Sequence, residues 1–203
     1  MNFTTWTDEY TYVVTLCTGI LGLLQNGKWC VMTTGGRELL REIDAVLPLN
    51  DGLVGVRKDG KWGIVNASSA AELAPGEGTA GAYADGGAVN APGAAGISME
   101  FDDMESLSPT LTRIQKDGKW GALNAAGKQI VPCAYEMVSS LRPMDDACLV
   151  TLGNKIGLID GQGNEVIPCQ WDFITFLYDG YLMAGLARKI ALIERSGKQL
   201  TAC

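Results

Sequence analysis

KDGKWG stands at 58–63 and again, letter for letter, at 116–121. In its fuller setting, VGVRKDGKWGIVN at 54–66, two apolar runs flank an Asp-Gly pair. That pattern predicts a tight β-hairpin, because both central residues of the two-residue turn need positive φ, which Asp and Gly tolerate. Four related stretches surround it or repeat it: QNGKWCVMT, QKDGKWGALN, LGNKIGLID and LARKIALIE. The Trp, or the Ile in its place, falls at Trp29, Trp62, Trp120, Ile156 and Ile190. Three of the four intervals are close to about 34 residues, the signature of a repeat architecture, and the one from Trp62 to Trp120 is about 24 residues too long.

The segments downstream locate the excess. GKQIVPCAYEMV at 127–138 matches GNEVIPCQWDFI at 163–174, and GKQLTAC at 197–203 is a shorter version. Asn124 to Tyr135 and Asp160 to Trp171 span one and the same interval, whereas Asn66 to Phe101, the corresponding piece of the second unit, is longer by the whole excess. The insertion therefore lies at 67–96, a Gly- and Ala-rich stretch too poor in bulky apolar residues to build a core. Loop-closure entropy tolerates it as an excursion at a turn, since doubling a loop costs only about 0.6 kcal/mol. A second Gly-bearing turn in AAGK, GQGN and RSGK leads into a third apolar run, so each unit reads as a three-stranded antiparallel meander. Such a meander of about 34 residues is too small to stand alone. The units run approximately 18–50, 51–104, 105–144, 145–178 and 179–203 within a single repeat domain 1–203, preceded by a partial leading unit at 1–17.

Alternation along the middle strand sets the packing. In KWGIVN, Trp62 and Ile64 share one face and Gly63 and Val65 the other; KIGLID repeats this with Ile156, Leu158 against Gly157, Ile159. A strand apolar on both faces belongs inside a stack. Gly63, Gly121 and Gly157 are expected to let a neighbouring unit approach, with Cys30 and Ala191 as small residues in that place. The stretch before the first unit resembles the late part of a unit, because Tyr10 precedes Lys28 by the interval at which Trp171 precedes Lys189. The last unit already holds a third strand, so the two ends do not complement one another. The expected fold is all-β, a repeat array of about five three-stranded meanders stacked as an open solenoid, with a small β-propeller as the alternative.

These residues, KDGKWGIVN and KDGKWGALN, followed by GKQIVPCAYE and introduced by NDGLVGV or YDGYLMAG, resemble the WG-repeat family of bacterial β-rich repeat proteins. The resemblance covers nearly all of the chain outside the insertion. It implies a scaffold or interaction module. Cys30 in place of glycine, and Ile156 and Ile190 in place of tryptophan, depart from the family pattern, as does cysteine after the proline.

Composition narrows the chemistry. The 203 residues are 47% hydrophobic and carry a net charge of −7, so a core is available, while phosphate backbones and anionic lipid surfaces are poor partners. Neither nucleic acid binding nor membrane insertion is expected. Histidine is absent, which removes Ser-His-Asp and Cys-His catalysis and the commonest metal ligand. None of the six cysteines forms a CxxC pair, so no metal site and no cofactor are expected. The first lysine is Lys28, so the basic start of a signal peptide is missing, and the expectation is a cytoplasmic chain with reduced thiols.

Three sets of residues invite a functional reading. Cys133, Cys169 and Cys203 hold equivalent places in successive units; they suggest a thiol ladder, but small residues filling a tight slot explain them better. The acids of EFDDME at 100–105 and the pair Asp145, Asp146 could supply carboxylates for sugar hydrolysis, yet adjacent acids on a strand point to opposite faces. Trp6, Trp29, Trp62, Trp120 and Trp171 could form a row of faces for sugars or a peptide, although a fixed Trp in a repeat is more often a core staple. The leading expectation is a non-enzymatic scaffold for a protein or peptide. The alternatives are a glycan-binding module using exposed aromatics, and an enzyme with acids at the inserted loop.

Overall fold

The computed structural model describes residues 10–50, 52–67, 99–140 and 147–201. The bulk of the 67–96 insertion, together with Trp6, Asp145, Asp146 and Cys203, lies outside the described residues. Among the described residues the fold is all-β, with eighteen strands in five antiparallel sheets. The first sheet holds β1 (Tyr12–Cys17), β2 (Ile20–Gln25), β3 (Lys28–Thr33) and β4 (Glu38–Ile43). The second holds β5 (Ala45–Pro48), β6 (Leu53–Lys58) and β7 (Lys61–Asn66), extended by a bridge from Trp62 to Phe101. The third holds β8 (Asp103–Ser108), β9 (Leu111–Lys116), β10 (Lys119–Asn124) and β11 (Gln129–Tyr135). The fourth holds β12 (Met137–Ser140), β13 (Cys148–Leu152), β14 (Lys155–Ile159) and β15 (Glu165–Trp171). The fifth holds β16 (Phe173–Phe176), β17 (Tyr181–Leu186) and β18 (Lys189–Glu194), extended by a bridge from Ile193 to Gln199.

Every sheet is a meander in sequence order, but three of the five have four strands rather than three. The added strand, such as MVSS of β12, follows the late aromatic of the preceding repeat after a single residue. A continuous run such as CAYEMVSS thus serves two sheets.

The five predicted hairpins are present with the expected backbone. Asp59 and Gly60 sit at φ 52° and 82°, Asp117 and Gly118 at 53° and 74°, and Asn26 and Gly27 at 52° and 78°. The last hairpin makes the same turn with Ala187 and Arg188 at 50° and 66°, a conformation unfavourable for both residues.

The chain divides into two units, Met1–Asp103 and Met104–Cys203. In the first, Leu16, Ile20, Val31 and Ile43 of the first sheet pack with Val54, Val56 and Val65 of the second. In the second unit the fourth sheet is buried on both faces, as the alternation predicts. One face, with Val138, Cys148, Val150 and Ile159, meets Leu111, Ala122 and Val131 of the third sheet. The other, with Leu158, Ile167 and Trp171, meets Ile174, Leu182, Ala184, Ala191 and Ile193 of the fifth. Each fully buried Leu, Ile or Val of this kind contributes about 1.5–3 kcal/mol, so most of the stability of a sheet comes from its neighbours.

Candidate functional site: the recurring Trp row, bulge and acid

Trp29, Trp120 and Ile156 each lie in a cross-strand row that ends on the last strand of the sheet, and Trp62 meets Phe101 through an isolated bridge. Trp29 pairs with Leu24 and Ile43, Trp120 with Gln115 and Tyr135, and Ile156 with Thr151 and Trp171. Just past that row the last strand bulges. Trp120 faces Tyr135 while Ala122 faces Val131, so two extra residues are accommodated on β11; Ile156 and Leu158 face Trp171 and Ile167 in the same way on β15. Pro132 and Pro168 sit inside these bulges, where a missing backbone N–H removes no ladder bond, and the bulge with its proline blunts the edge of the sheet.

The bulge explains the glycine. A Cβ on Gly121 would meet the Val131 carbonyl oxygen at 2.5 Å and the Cys133 nitrogen at 2.9 Å; on Gly157 it would meet the Ile167 oxygen at 2.7 Å and the Cys169 nitrogen at 2.9 Å. Those atoms belong to the same sheet. The expectation that this glycine admits a neighbouring unit is therefore corrected: it admits the bulged strand beside it. Close approach between sheets occurs instead at the second turn, where a Cβ on Gly163 would lie 2.7 Å from the Ile130 oxygen of the third sheet, and one on Gly197 2.2 Å from the Val166 oxygen of the fourth. Gly63 is buried in β7. Cys30 is accommodated where the opposite strand carries one extra residue, not two, and Ala191 where only a bridge follows.

The cysteines follow from the same geometry. The Cys133 thiol reaches across Gly121 toward the Ile114 oxygen at 4.0 Å, and the Cys169 thiol across Gly157 toward the Val150 oxygen at 3.7 Å. Both are half-buried. Burial, and then the Glu165 carboxylate, push the Cys169 thiol up from its ordinary value, away from thiolate reactivity. None of the five described cysteines is in a disulfide, and no group of three or more Cys, Asp or Glu among the described residues is placed to hold a metal ion.

The three motif tryptophans are neither free platforms nor full core residues. Trp29, Trp62 and Trp120 are half-buried. Tyr12 stands edge-on to Trp29 at 6.1 Å, the Arg57 guanidinium carbon lies 6.0 Å from the Trp62 ring centre, and that of Arg113 lies 4.6 Å from Trp120. Such cation–π contacts are worth about 0.5–1 kcal/mol at exposed sites. Trp171 is buried at 3% exposure. Ile156 is half-buried, whereas Ile190 is 58% exposed.

Sequence reading missed a recurring acid. Asp44, Glu136 and Asp172 are each the single residue between consecutive sheets. Lys28 Nζ binds Asp44 Oδ1 at 2.5 Å and Lys155 Nζ binds Asp172 Oδ1 at 2.5 Å; Lys61 pairs likewise with Asp102. The second carboxylate oxygen of Asp44 accepts the N–H of Asp59 at 2.9 Å, and that of Asp172 accepts the N–H of Ala187 at 2.9 Å. Glu136 accepts from Asn154 at 3.4 Å. Each acid thus ties its own sheet to the hairpin turn of the next. The lysine bond first, and the backbone N–H with it, hold the Asp44 and Asp172 carboxyls below the usual aspartate range. The signal was legible: a lysine stands directly before each motif Trp or Ile, and an acid directly after Ile43, Phe101, Tyr135 and Trp171, the residues that close the rows. Within EFDDME, Asp102 holds Lys61 and Glu105 pairs with Arg113, so these acids are engaged in ion pairs of the fold.

Meandering sheets joined by recurring acid ties define an all-β repeat protein. The family described as WG containing repeat matches at residues 36–62, 120–155 and 156–185. The chain carries WG-containing repeats over those stretches. No curated protein matches the sequence. Among solved structures, a crystal structure of the eukaryotic initiation factor is similar over 98% of this chain and 54% of its own, at 16% identity and a TM-score of 0.43. Hsv2 of Kluyveromyces lactis is similar over 92% of this chain and 62% of its own, at 10% identity and a TM-score of 0.36. The extracellular domain of a hybrid two component system from B. thetaiotaomicron is similar over 93% of this chain and 27% of its own, at 12% identity and a TM-score of 0.30. The chain spans about half the length of the first of these.

Proposed function

We propose that the chain is a non-enzymatic scaffold, an open repeat array of the bacterial WG type, that binds a protein or peptide in the cytoplasm. The observation that carries this reading is the β16–β17 loop, where Tyr178 is 86% exposed beside Leu177 at 41%. A protruding Tyr next to a Leu offers large apolar area with a hydrogen-bonding tip, the composition favoured at protein interfaces. Engagement of Asp44, Asp102, Glu105 and Asp172 in ion pairs supports a non-catalytic role. The net charge of −7 favours a partner other than nucleic acid or an anionic membrane. The glycan-binding alternative needs open aromatic faces, and the contacts of Arg57, Arg113 and Tyr12 with the Trp rings weigh against it.

The test is a random peptide library panned on the immobilised protein, run beside a glycan array. Enriched peptides that lose binding to a Tyr178→Ser variant of unchanged melting temperature are the expected result. Failure to enrich any peptide, with glycan binding lost on Trp29→Ala in a protein of unchanged circular dichroism, would replace this reading with the glycan module.

A further inference from the structure

The sequence has a single Asn-Gly pair, Asn26-Gly27, and it forms the turn of the β2–β3 hairpin. An asparagine followed by glycine is the side-chain amide best placed to react with its own backbone, because no side chain shields the next nitrogen. Both residues are exposed, and a Cβ on Gly27 would meet no atom within 4 Å. Neither the Asn26 amide nor the Gly27 N–H takes part in a hydrogen bond among the described residues. Four other asparagines are held or hindered. Asn50 Oδ1 accepts the Leu53 N–H at 3.0 Å, Asn124 Oδ1 accepts the Lys128 N–H at 3.0 Å, and Asn164 Nδ2 donates to Asp160 at 2.9 Å. Asn154 is exposed, but the bulky Lys155 follows it. The β2–β3 hairpin also lacks an acid tie. In the β6–β7 and β17–β18 hairpins the first turn residue donates its N–H to an acid, Asp59 to Asp44 and Ala187 to Asp172, both at 2.9 Å. For β2–β3 the place of that acid is held by Thr11, which precedes Lys28 by the interval at which Asp172 precedes Lys189. The Asn26 N–H has no such acceptor among the described residues. A hairpin tip without a tie opens more readily than a tied one, and opening frees the backbone rotation that brings Gly27 N onto Asn26 Cγ.

We propose that Asn26-Gly27 is a self-modifying site at which the hairpin deamidates, with water as the co-reactant and the missing acid tie as the feature that sets this turn apart. Hydroxide takes the Gly27 N–H proton, and the nitrogen attacks Asn26 Cγ. The bond from Gly27 N to Cγ forms, the bond from Cγ to Nδ2 breaks, and ammonia leaves with a proton from water. Water then adds across one of the two carbonyl–nitrogen bonds of the resulting imide ring, giving aspartate or isoaspartate with one further negative charge. The aspartyl form suits the turn, since Asp59-Gly60 and Asp117-Gly118 hold the same backbone conformation. The isoaspartyl form routes the chain through the side-chain methylene and so adds an atom to the backbone. It cannot keep Gln25 opposite Lys28, the residue bound to Asp44.

Ageing the full chain at mildly alkaline pH, followed by isoelectric focusing and peptide mapping, tests the proposal. The expected result is conversion to a species one charge more acidic, with the change at position 26 and a rate that rises with hydroxide concentration. Asn26→Asp should show no such step and should melt at the wild-type midpoint, while the isoaspartyl form melts lower. Asp59→Asn puts the same dipeptide in a hairpin whose N–H is held by Asp44, so its new amide should be lost several times more slowly than that of Asn26. Three results would each overturn the proposal: an Asn26 that survives while the urea-unfolded chain deamidates, an acidic species formed equally by Asn26→Asp, or an Asp59→Asn amide lost as fast as that of Asn26.

Discussion

Gly157 and Cys169 act as one steric pair, since the absent Cβ of the first makes room for the backbone and thiol of the second. Gly157→Ala should destabilise the protein by about 1–3 kcal/mol, the usual penalty of overpacking a rigid site, as read by urea denaturation. Adding Cys169→Ala should not restore it, because the Ile167 carbonyl remains 2.7 Å from the new methyl group. Arg188 makes the opposite case. At φ 66° it occupies a turn position that glycine prefers, so Arg188→Gly should raise stability by about 1 kcal/mol and the melting midpoint by roughly 2–4 °C. The turn was legible because Asp-Gly carries its own conformational requirement within two residues. The role of Gly157 was not, because its crowding atoms lie well along the chain, at Ile167 and Cys169, in a bulge whose register no local rule predicts.

At the level of strands and sheets, the acids at 44 and 172 determine how one meander hands on to the next. Their carboxyls are held below the ordinary aspartate value of 3.8, so they contribute stability that is fully present above that value and is lost as pH falls through the lower folded-state value. Denaturation midpoints followed from pH 7 downward should therefore drop below about pH 4, and Asp44→Asn with Asp172→Asn should flatten that drop while lowering the midpoint at neutral pH. A double variant with the full wild-type acid dependence would show that other carboxylates govern it. The same acids mark where sequence reading went astray. CAYEMVSS looks like one apolar strand, and the chain crosses between sheets at Glu136 without a Gly or Pro to announce it. Hence a four-stranded sheet was read as three-stranded, and the short strands β12 and β16 were credited to the wrong unit.

Across a whole unit, each sheet is stabilised by the faces beside it, so a fault at a junction should spread to both sides. Gly163, at φ 94° with the Ile130 carbonyl 2.7 Å from its would-be Cβ, is such a junction. Gly163→Ala should lower amide-exchange protection in β11 and β13 together, since both border the core shared by the third and fourth sheets; loss confined to the β14–β15 turn would mean the two sheets are not coupled. Sequence alone determined the hairpins and the two-sided burial of the middle strands, because these rest on alternation and turn chemistry within a few residues. The tertiary structure decided the fourth strand, the partner of each motif glycine and the tie from each acid to the next hairpin. Those depend on which distant strands pair and which faces meet, and KDGKWG, identical in both copies, contains no information about either.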